Sequence, residues 1–161
     1  MIMILVMKKK LILIKGMLVS KLDIDQKNSL YYEFEEGKQN TYTYVFVNAL
    51  TGNTSAWNGV IGKRVRDAGH GYLTYNFRGQ INSSFDESIN LTSEIIISDL
   101  LKLIDHLNLK NIILCGLSIG GLYAAIASLE EIDVKGLVLI NTLRKPSSRL
   151  DWINRSMVNA A

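Results

Sequence analysis

The spacing of hydrophobic residues changes part-way along the chain. From residue 43 onward, short continuous apolar runs alternate with longer segments in which apolar residues recur every three or four positions. Continuous apolar runs are typical of strands buried on both faces, and the wider spacing is typical of amphipathic helices. The pattern predicts an α/β fold: a mostly parallel sheet with right-handed crossovers and helices on both faces. The predicted strands cover 43–47, 72–77, 112–115 and 134–140, and the predicted helices cover 55–68, 91–107 and 119–129.

A different pattern precedes residue 43. Residues 16–25 and 29–36 show partial alternation of apolar and polar positions, which predicts an antiparallel hairpin at a sheet edge. Residues 1–15 are either a first strand or an extension outside the fold. Lysines at positions 8, 9, 10 and 15 leave no uninterrupted apolar segment of about 20 residues. The charge order and cleavage site of a signal peptide are also missing, so we expect neither a membrane span nor a signal peptide here.

Composition narrows the class of protein. The chain has 161 residues, of which 48% are hydrophobic and 20% charged, as expected for a single globular domain. Its net charge of +3 comes from scattered lysines and arginines, so we expect no nucleic-acid partner. The single cysteine, Cys115, lies in an apolar run and is expected to be a buried structural thiol. A chain without intramolecular disulfides favours a reducing compartment such as the cytoplasm.

The segment with candidate chemistry follows the apolar run that ends at Cys115. It has the pattern Gly-x-Ser-x-Gly around Ser118 and leads into a predicted helix. In a strand-turn-helix context this pattern holds the serine in a strained conformation with its hydroxyl exposed, which predicts a nucleophile. The amide of Ile119, at the helix N-terminus, would face an oxyanion formed on the substrate. The glycines that let strand and helix approach each other are Gly116, Gly120 and Gly121.

Three further stretches fall at the carboxyl ends of predicted strands, where the sites of parallel sheets collect. They are 48–52 (Asn-Ala-Leu-Thr-Gly), 76–79 (Asn-Phe-Arg-Gly) and 141–142 (Asn-Thr). Together with Gly-x-Ser-x-Gly, they make the chain resemble the α/β-hydrolase family from its N-terminal hairpin to its sixth strand. The resemblance implies an incomplete α/β-hydrolase fold, one domain over 1–161 that is truncated after that strand, with 143–161 as the start of a cap or lid.

The resemblance also assigns roles to residues. It makes Ser118 the nucleophile, with the amides of Ile119 and Leu50 as the oxyanion hole. The family usually has His-Gly-x after this strand, where x donates its amide, and here the stretch is Asn-Ala-Leu. Arg78 occupies the arginine position of the family's Asp-x-Arg-Gly, with asparagine in place of the aspartate. The resemblance therefore implies that Arg78 and Asn48 order the loops around the site, while a surface arginine in a turn is the alternative for Arg78.

The residues that would activate the serine are not found after it. A serine nucleophile needs a histidine base and a carboxylate to orient it, and in this fold both follow the serine in sequence. His70 is expected at the amino edge of the sheet, about 20 Å from the serine. His106 is expected on the solvent face of its helix. Asp133 precedes the last strand and Asp151 is typical of a cap helix, so we expect base and acid to be absent from these 161 residues.

The implied function is acyl transfer from esters, thioesters or activated small acyl compounds through an acyl-enzyme on Ser118. A small acyl substrate is the implied partner, without metal or organic cofactor. Two alternatives stay open. The string Asn-Ala-Leu-Thr-Gly resembles the His-Ala-Leu-Thr-Gly of homoserine O-acetyltransferases, and a degenerate hydrolase fold can serve as a non-catalytic binding or scaffold protein. The missing base predicts little or no turnover by these 161 residues alone, and an open sheet edge predicts self-association.

Overall fold

The computed structural model describes residues 12–14 and 16–142, so the expectations for 1–11 and for a cap at 143–161 lie outside the described residues. The strands are β1 (Ile12–Ile14), β2 (Met17–Asp23), β3 (Ser29–Glu35), β4 (Thr43–Val47), β5 (Gly71–Tyr75), β6 (Ile112–Leu117) and β7 (Val134–Ile140). The helices are α1 (Ser55–Asn58), α2 (Val60–Asp67), α3 (Ser93–His106) and α4 (Ile119–Ala127).

The seven strands of the described residues belong to one sheet in the order β1-β2-β3-β5-β4-β6-β7. β2 and β3 form the predicted antiparallel hairpin, and β1 pairs with β2, so residues 12–14 are part of the sheet. β3 is antiparallel to β5, and from there the strands β5, β4, β6 and β7 run parallel. The mixed sheet with an N-terminal antiparallel part is therefore confirmed.

The predicted helix over 55–68 is wrong in one respect, because the structure has two short helices there. The break is at Gly59, whose ψ of −128° lies outside the helical range. The strand predicted over 72–77 is shifted to Gly71–Tyr75. Its last predicted residue, Phe77, donates its amide to the side-chain Oε1 of Gln80 at 2.9 Å instead of to a neighbouring strand. Side-chain hydrogen bonds of this kind are not visible in hydrophobic periodicity.

Helices cover both faces of the sheet, as predicted. Alternate residues of a strand point to opposite faces, so Val45 and Val47 contribute to one core and Phe46 to the other. The first core includes α3 and α4 through Leu100, Leu103, Tyr123 and Ala124. The second includes Trp57 of α1 and Cys115 of β6, with Val65 of α2 packed against it. Burial on both faces explains why the central strands are continuous apolar runs.

The parallel arrangement brings four strand ends to the same edge of the sheet. Register places Val47 beside Gly116 and Leu117 beside Ile140, so the loops after β4, β6 and β7 are neighbours. The loop after β5 joins them because β5 pairs with β4 in parallel. The three predicted stretches and the Gly-x-Ser-x-Gly segment thus meet at this carboxyl edge. Within residues 12–14 and 16–142, no helix is long and apolar enough to cross a membrane.

The outer edge of β7 has no partner strand among the described residues. Three apolar side chains of this strand, Leu137, Val138 and Leu139, are 39%, 42% and 49% exposed. An unpaired edge with apolar side chains is a template for pairing with another chain. We therefore expect the purified 161-residue chain to self-associate, seen as a mean mass that rises with concentration in light scattering. A single monomeric species with a cooperative thermal transition would contradict this expectation.

Candidate active site

Ser118 has the backbone conformation that the Gly-x-Ser-x-Gly pattern predicts. It joins β6 to α4 with φ 56° and ψ −122°. A positive φ in a residue with a Cβ costs on the order of 1–3 kcal/mol and persists only where the surroundings enforce it. Two hydrogen bonds do so: the Ser118 amide donates to the Ile140 carbonyl at 2.9 Å, and the Gly121 amide donates to the Ser118 carbonyl at 3.1 Å. The residue is solvent-exposed at the carboxyl edge of the sheet.

The glycines around Ser118 are required by close backbone contacts. A Cβ on Gly116 would lie less than 3.0 Å from backbone atoms of Gly120 and Gly121. One on Gly120 would lie equally close to the carbonyl oxygens of Val47 and Asn48, at the end of β4. At Gly121 a Cβ would meet the side chain of Thr142. The start of α4 therefore packs directly against the loops that follow β4 and β7.

The two predicted oxyanion-hole residues belong to the two segments that meet at this contact, α4 and the loop after β4. Ile119 is the first residue of α4, so its amide has no carbonyl acceptor within the helix. Leu50 lies in the loop after β4, and continuing the register of Val47 with Gly116 brings this loop level with Ser118. The loop turns tightly, since the Gly52 amide donates to the Ala49 carbonyl at 3.0 Å. Its Leu50 side chain is 72% exposed.

Asn48 is buried beneath this loop and is 1% exposed. Its Oδ1 accepts a hydrogen bond from Trp57 Nε1 at 2.7 Å, and its Nδ2 donates to the Tyr75 carbonyl at 2.7 Å. Nδ2 also lies 3.2 Å from the side-chain Oδ1 of Asn76, which in turn accepts from the Thr54 amide at 2.9 Å. Asparagine at the family's histidine position thus connects the ends of β4 and β5 with α1.

Arg78 is 7% exposed, so the alternative of a surface arginine is wrong. Its Nε and Nη2 donate to the two carboxylate oxygens of Asp99, both at 2.6 Å. This bidentate pair ties the loop after β5 to α3, and hydrogen bonding to Asp99 raises the pKa of Arg78. Asp99 was not predicted from the sequence as a site residue. It could have been found from its place on the apolar stripe of the helix, three residues after Ile96 and four before Leu103, where a carboxylate is unusual.

Comparison with known proteins shows which family the chain belongs to. The sequence pattern of the α/β-hydrolase fold matches residues 43–160, well over half of the chain. The chain belongs to the α/β-hydrolase family. No curated protein sequence matches it significantly.

Solved structures show the same α/β-hydrolase fold. A carboxylesterase of the thaumarchaeon Nitrososphaera gargenis is 23% identical, with a TM-score of 0.75 over 87% of this chain and 52% of that one. A hydrolase from Pseudomonas aeruginosa is 25% identical, with a TM-score of 0.71 over 89% and 53%. An esterase from Exiguobacterium antarcticum is 20% identical, with a TM-score of 0.69 over 82% and 52%. The chain spans about half the length of these structures.

The histidines of this α/β-hydrolase chain lie away from Ser118, as predicted. His70 directly precedes β5 at the amino edge, where its Nδ1 accepts from the Tyr42 amide at 3.4 Å. Its ring lies 5.3 Å from that of Tyr44, measured between centroids. His106 is the exposed last residue of α3, and its ring makes an edge contact with Tyr32 at 6.1 Å. Neither histidine reaches the carboxyl edge of the sheet.

Asp133 is likewise at the opposite edge, because it immediately precedes β7. Its Oδ2 accepts from the Asn111 amide at 2.8 Å, and its Oδ1 pairs with Lys135 at 2.6 Å. These bonds give it a structural role in joining the starts of β6 and β7, and they lower its pKa. Within the described part of the chain, no group of three or more His, Cys, Asp and Glu residues could hold a metal ion.

A buried carboxylate that was not predicted from the sequence supports the far end of the Leu50 loop. Glu33 of β3 is 6% exposed. Its Oε1 accepts from Thr54 Oγ1 at 2.8 Å and from the Tyr31 hydroxyl at 3.0 Å, and its Oε2 accepts from Asn58 Nδ2 at 2.8 Å. Burial and the bond to Glu33 raise the pKa of Tyr31 to about 12. The partial alternation of apolar and polar residues in β3 did not indicate that Glu33 would be buried.

Proposed function

We propose that this α/β-hydrolase chain carries the nucleophile and oxyanion hole of a serine hydrolase that acts on esters or related acyl compounds. The observation that carries the proposal is the positive φ of an exposed Ser118 at the first turn of α4. Strain of this kind in an exposed serine at a sheet's carboxyl edge is typical of a nucleophile. The esterases among structures of the same fold agree with this class of substrate.

In the proposed reaction, Ser118 Oγ forms a bond to the carbonyl carbon of the substrate while its proton passes to a base. The resulting oxyanion accepts hydrogen bonds from the amides of Ile119 and Leu50. The carbon–oxygen bond to the leaving group then breaks, and the alcohol leaves with the proton. Water, or another acceptor, releases the acyl group from Ser118 in the second half.

The base must come from outside the 161 residues, because His70 and His106 lie away from Ser118. We therefore expect the purified chain to hydrolyse p-nitrophenyl acetate no faster than its Ser118→Ala variant. The measurement is the initial rate of p-nitrophenolate release. Fast hydrolysis that disappears in Ser118→Ala, and persists in Ser93→Ala at an exposed helix start, would contradict the proposed absence of a base.

A fluorophosphonate probe separates the proposed hydrolase from the alternatives. In a longer chain whose additional residues supply an aspartate and a histidine, the probe should label Ser118, and Ser118→Ala should abolish labelling. An unlabelled serine in that chain would favour a binding or scaffold protein. Product analysis with homoserine and acetyl-CoA, compared with water alone, distinguishes an acyltransferase from a hydrolase.

The proposal includes a reducing compartment such as the cytoplasm. Cys115, the single cysteine, is 3% exposed, and burial raises its pKa to about 12. Such a thiol contributes packing volume to the core and forms little thiolate at neutral pH. The chain's stability therefore does not depend on a disulfide within it.

A further inference from the structure

We propose that Gln80 is a positioning residue that fixes the orientation of the Leu50 amide. Its side-chain Nε2 donates to the carbonyl oxygens of Ala49 at 3.1 Å and of Leu50 at 3.0 Å. These carbonyls belong to the two peptide groups that flank the Leu50 Cα. A single side-chain amide, with its two N–H groups, therefore holds both peptide planes of the residue. The catalytic value of this contact rests on the proposed oxyanion role of Leu50.

The Gln80 side chain is itself held in one orientation. Its Oε1 accepts from the Phe77 backbone amide at 2.9 Å and lies 3.3 Å from Asn48 Nδ2. Because a backbone amide can only donate and a backbone carbonyl can only accept, these partners fix which end of the Gln80 amide is oxygen and which is nitrogen. The turn from Phe77 to Gln80 is closed by a 3.0 Å backbone hydrogen bond. The Gln80 side chain is thus a pre-formed clamp on the carbonyl oxygens of Ala49 and Leu50.

The clamp determines where the Leu50 N–H points. Across a trans peptide, the N–H of one residue points away from the carbonyl of the residue before it. Since the Ala49 carbonyl faces Gln80, the Leu50 N–H faces away from Gln80. The same loop touches the start of α4, where Gly120 lies against the Asn48 carbonyl. Gln80 therefore holds the loop on the side opposite to the Leu50 N–H, which is left available as a hydrogen-bond donor.

Packing of the Leu50 side chain cannot hold the loop in place of Gln80. The Leu50 side chain is 72% exposed, so it does not anchor the loop in the core. Among the described residues, Leu50 is held by the Gln80 hydrogen bond to its carbonyl oxygen and by the Ala49–Gly52 turn that encloses it. A loop held by few buried contacts opens at low free energy, so losing the clamp should increase its mobility.

The sharpest variant is Gln80→Glu, which keeps the size and the acceptor for Phe77. It replaces the two N–H donors by a carboxylate oxygen that faces two carbonyl oxygens, so attraction becomes repulsion. Protonation of the introduced carboxyl group restores one donor. Below about pH 4 the variant should therefore recover part of the wild-type loop order. Gln80→Met removes the donors without a titratable group and should show no recovery.

Amide hydrogen exchange and 15N relaxation test the proposal on the 161-residue chain at a concentration where light scattering shows it to be monomeric. In Gln80→Glu at neutral pH, we expect the Gly52 amide to exchange about tenfold faster and the Leu50 order parameter to fall below about 0.6. Amides in the middle of β6, such as that of Leu114, should keep their wild-type protection. Gln39→Glu, the same charge change at an exposed site, should leave the loop unchanged.

Unchanged Leu50 order in Gln80→Glu, or loss of protection throughout the sheet equal to that in the loop, would overturn the proposal. Equal behaviour of Gln80→Glu and Gln80→Met on acidification, each compared with wild type at the same pH, would also overturn it. None of these measurements requires catalysis. Failure of the clamp is therefore distinguishable from failure of the proposed hydrolase function, which is tested by labelling of Ser118.

Discussion

Replacing Gly120 with alanine is expected to lower the free energy of unfolding by about 3 kcal/mol or more, or to prevent folding. The new Cβ would lie less than 3.0 Å from the carbonyl oxygens of Val47 and Asn48. Neither atom can move freely, because Val47 is paired with Gly116 in the centre of the sheet and Asn48 is fully buried. Urea denaturation followed by circular dichroism measures the loss.

Gly136→Ala is the matched control for this substitution. Gly136 lies in β7, and among the described residues a Cβ there would meet only the Cδ1 and Cγ2 atoms of the Ile113 side chain. A flexible side-chain end can shift, and alanine is better than glycine in a strand, so we expect a change within about 1 kcal/mol. A Gly120→Ala variant as stable as Gly136→Ala would show that α4 does not pack on β4 as closely as the structure has it.

The contrast between these glycines shows how the site is assembled. Gly120 is needed because α4 begins directly against the end of β4, and this approach brings the start of α4, with the Ile119 amide, against the loop that contains Leu50. A bulkier residue would separate the two proposed oxyanion donors even if the chain folded. Stability and the proposed activity therefore depend on the same contact.

Elements with a strong pattern were predictable from sequence. The bounds of β4 and β7 agree with the predicted 43–47 and 134–140, since each is a mostly apolar segment bordered by polar or turn residues. The conformation of Ser118 was predictable because Gly-x-Ser-x-Gly has a specific meaning between a strand and a helix. In these cases local sequence carried enough information, because the structure there depends on near neighbours.

The contacts that support the site depend on distant residues and could not be predicted. Gln80 meets the Leu50 loop from 30 positions away, and Glu33 meets Thr54 from 21 positions away. Their partners are mostly backbone atoms or neutral side chains, which leave no charge pattern in the sequence. Asp99 is the exception, because a carboxylate on an apolar helix stripe indicates a buried cation partner.

Removing either member of the Arg78–Asp99 pair is expected to cost about 3–5 kcal/mol, and removing both is expected to cost much less. In Arg78→Met the carboxylate of Asp99, 2% exposed, loses its cation. In Asp99→Leu the buried guanidinium loses both of its 2.6 Å hydrogen bonds. The double variant leaves neither charge of this pair buried, and its apolar side chains fill a similar volume.

A double-mutant cycle in urea measures this coupling. We expect Arg78→Met/Asp99→Leu to be more stable than either single variant and within about 2 kcal/mol of wild type. Lys63→Met, which breaks the exposed pair with Asp67 on α2, should cost less than about 0.5 kcal/mol. A desolvated pair would be contradicted if either single variant lost as little free energy of unfolding as Lys63→Met. It would also be contradicted if the losses of the two single variants simply added in the double variant. Because Arg78 lies two residues before Gln80, the same pair anchors the turn that supports the Leu50 loop, and its loss should increase the mobility of that loop as well.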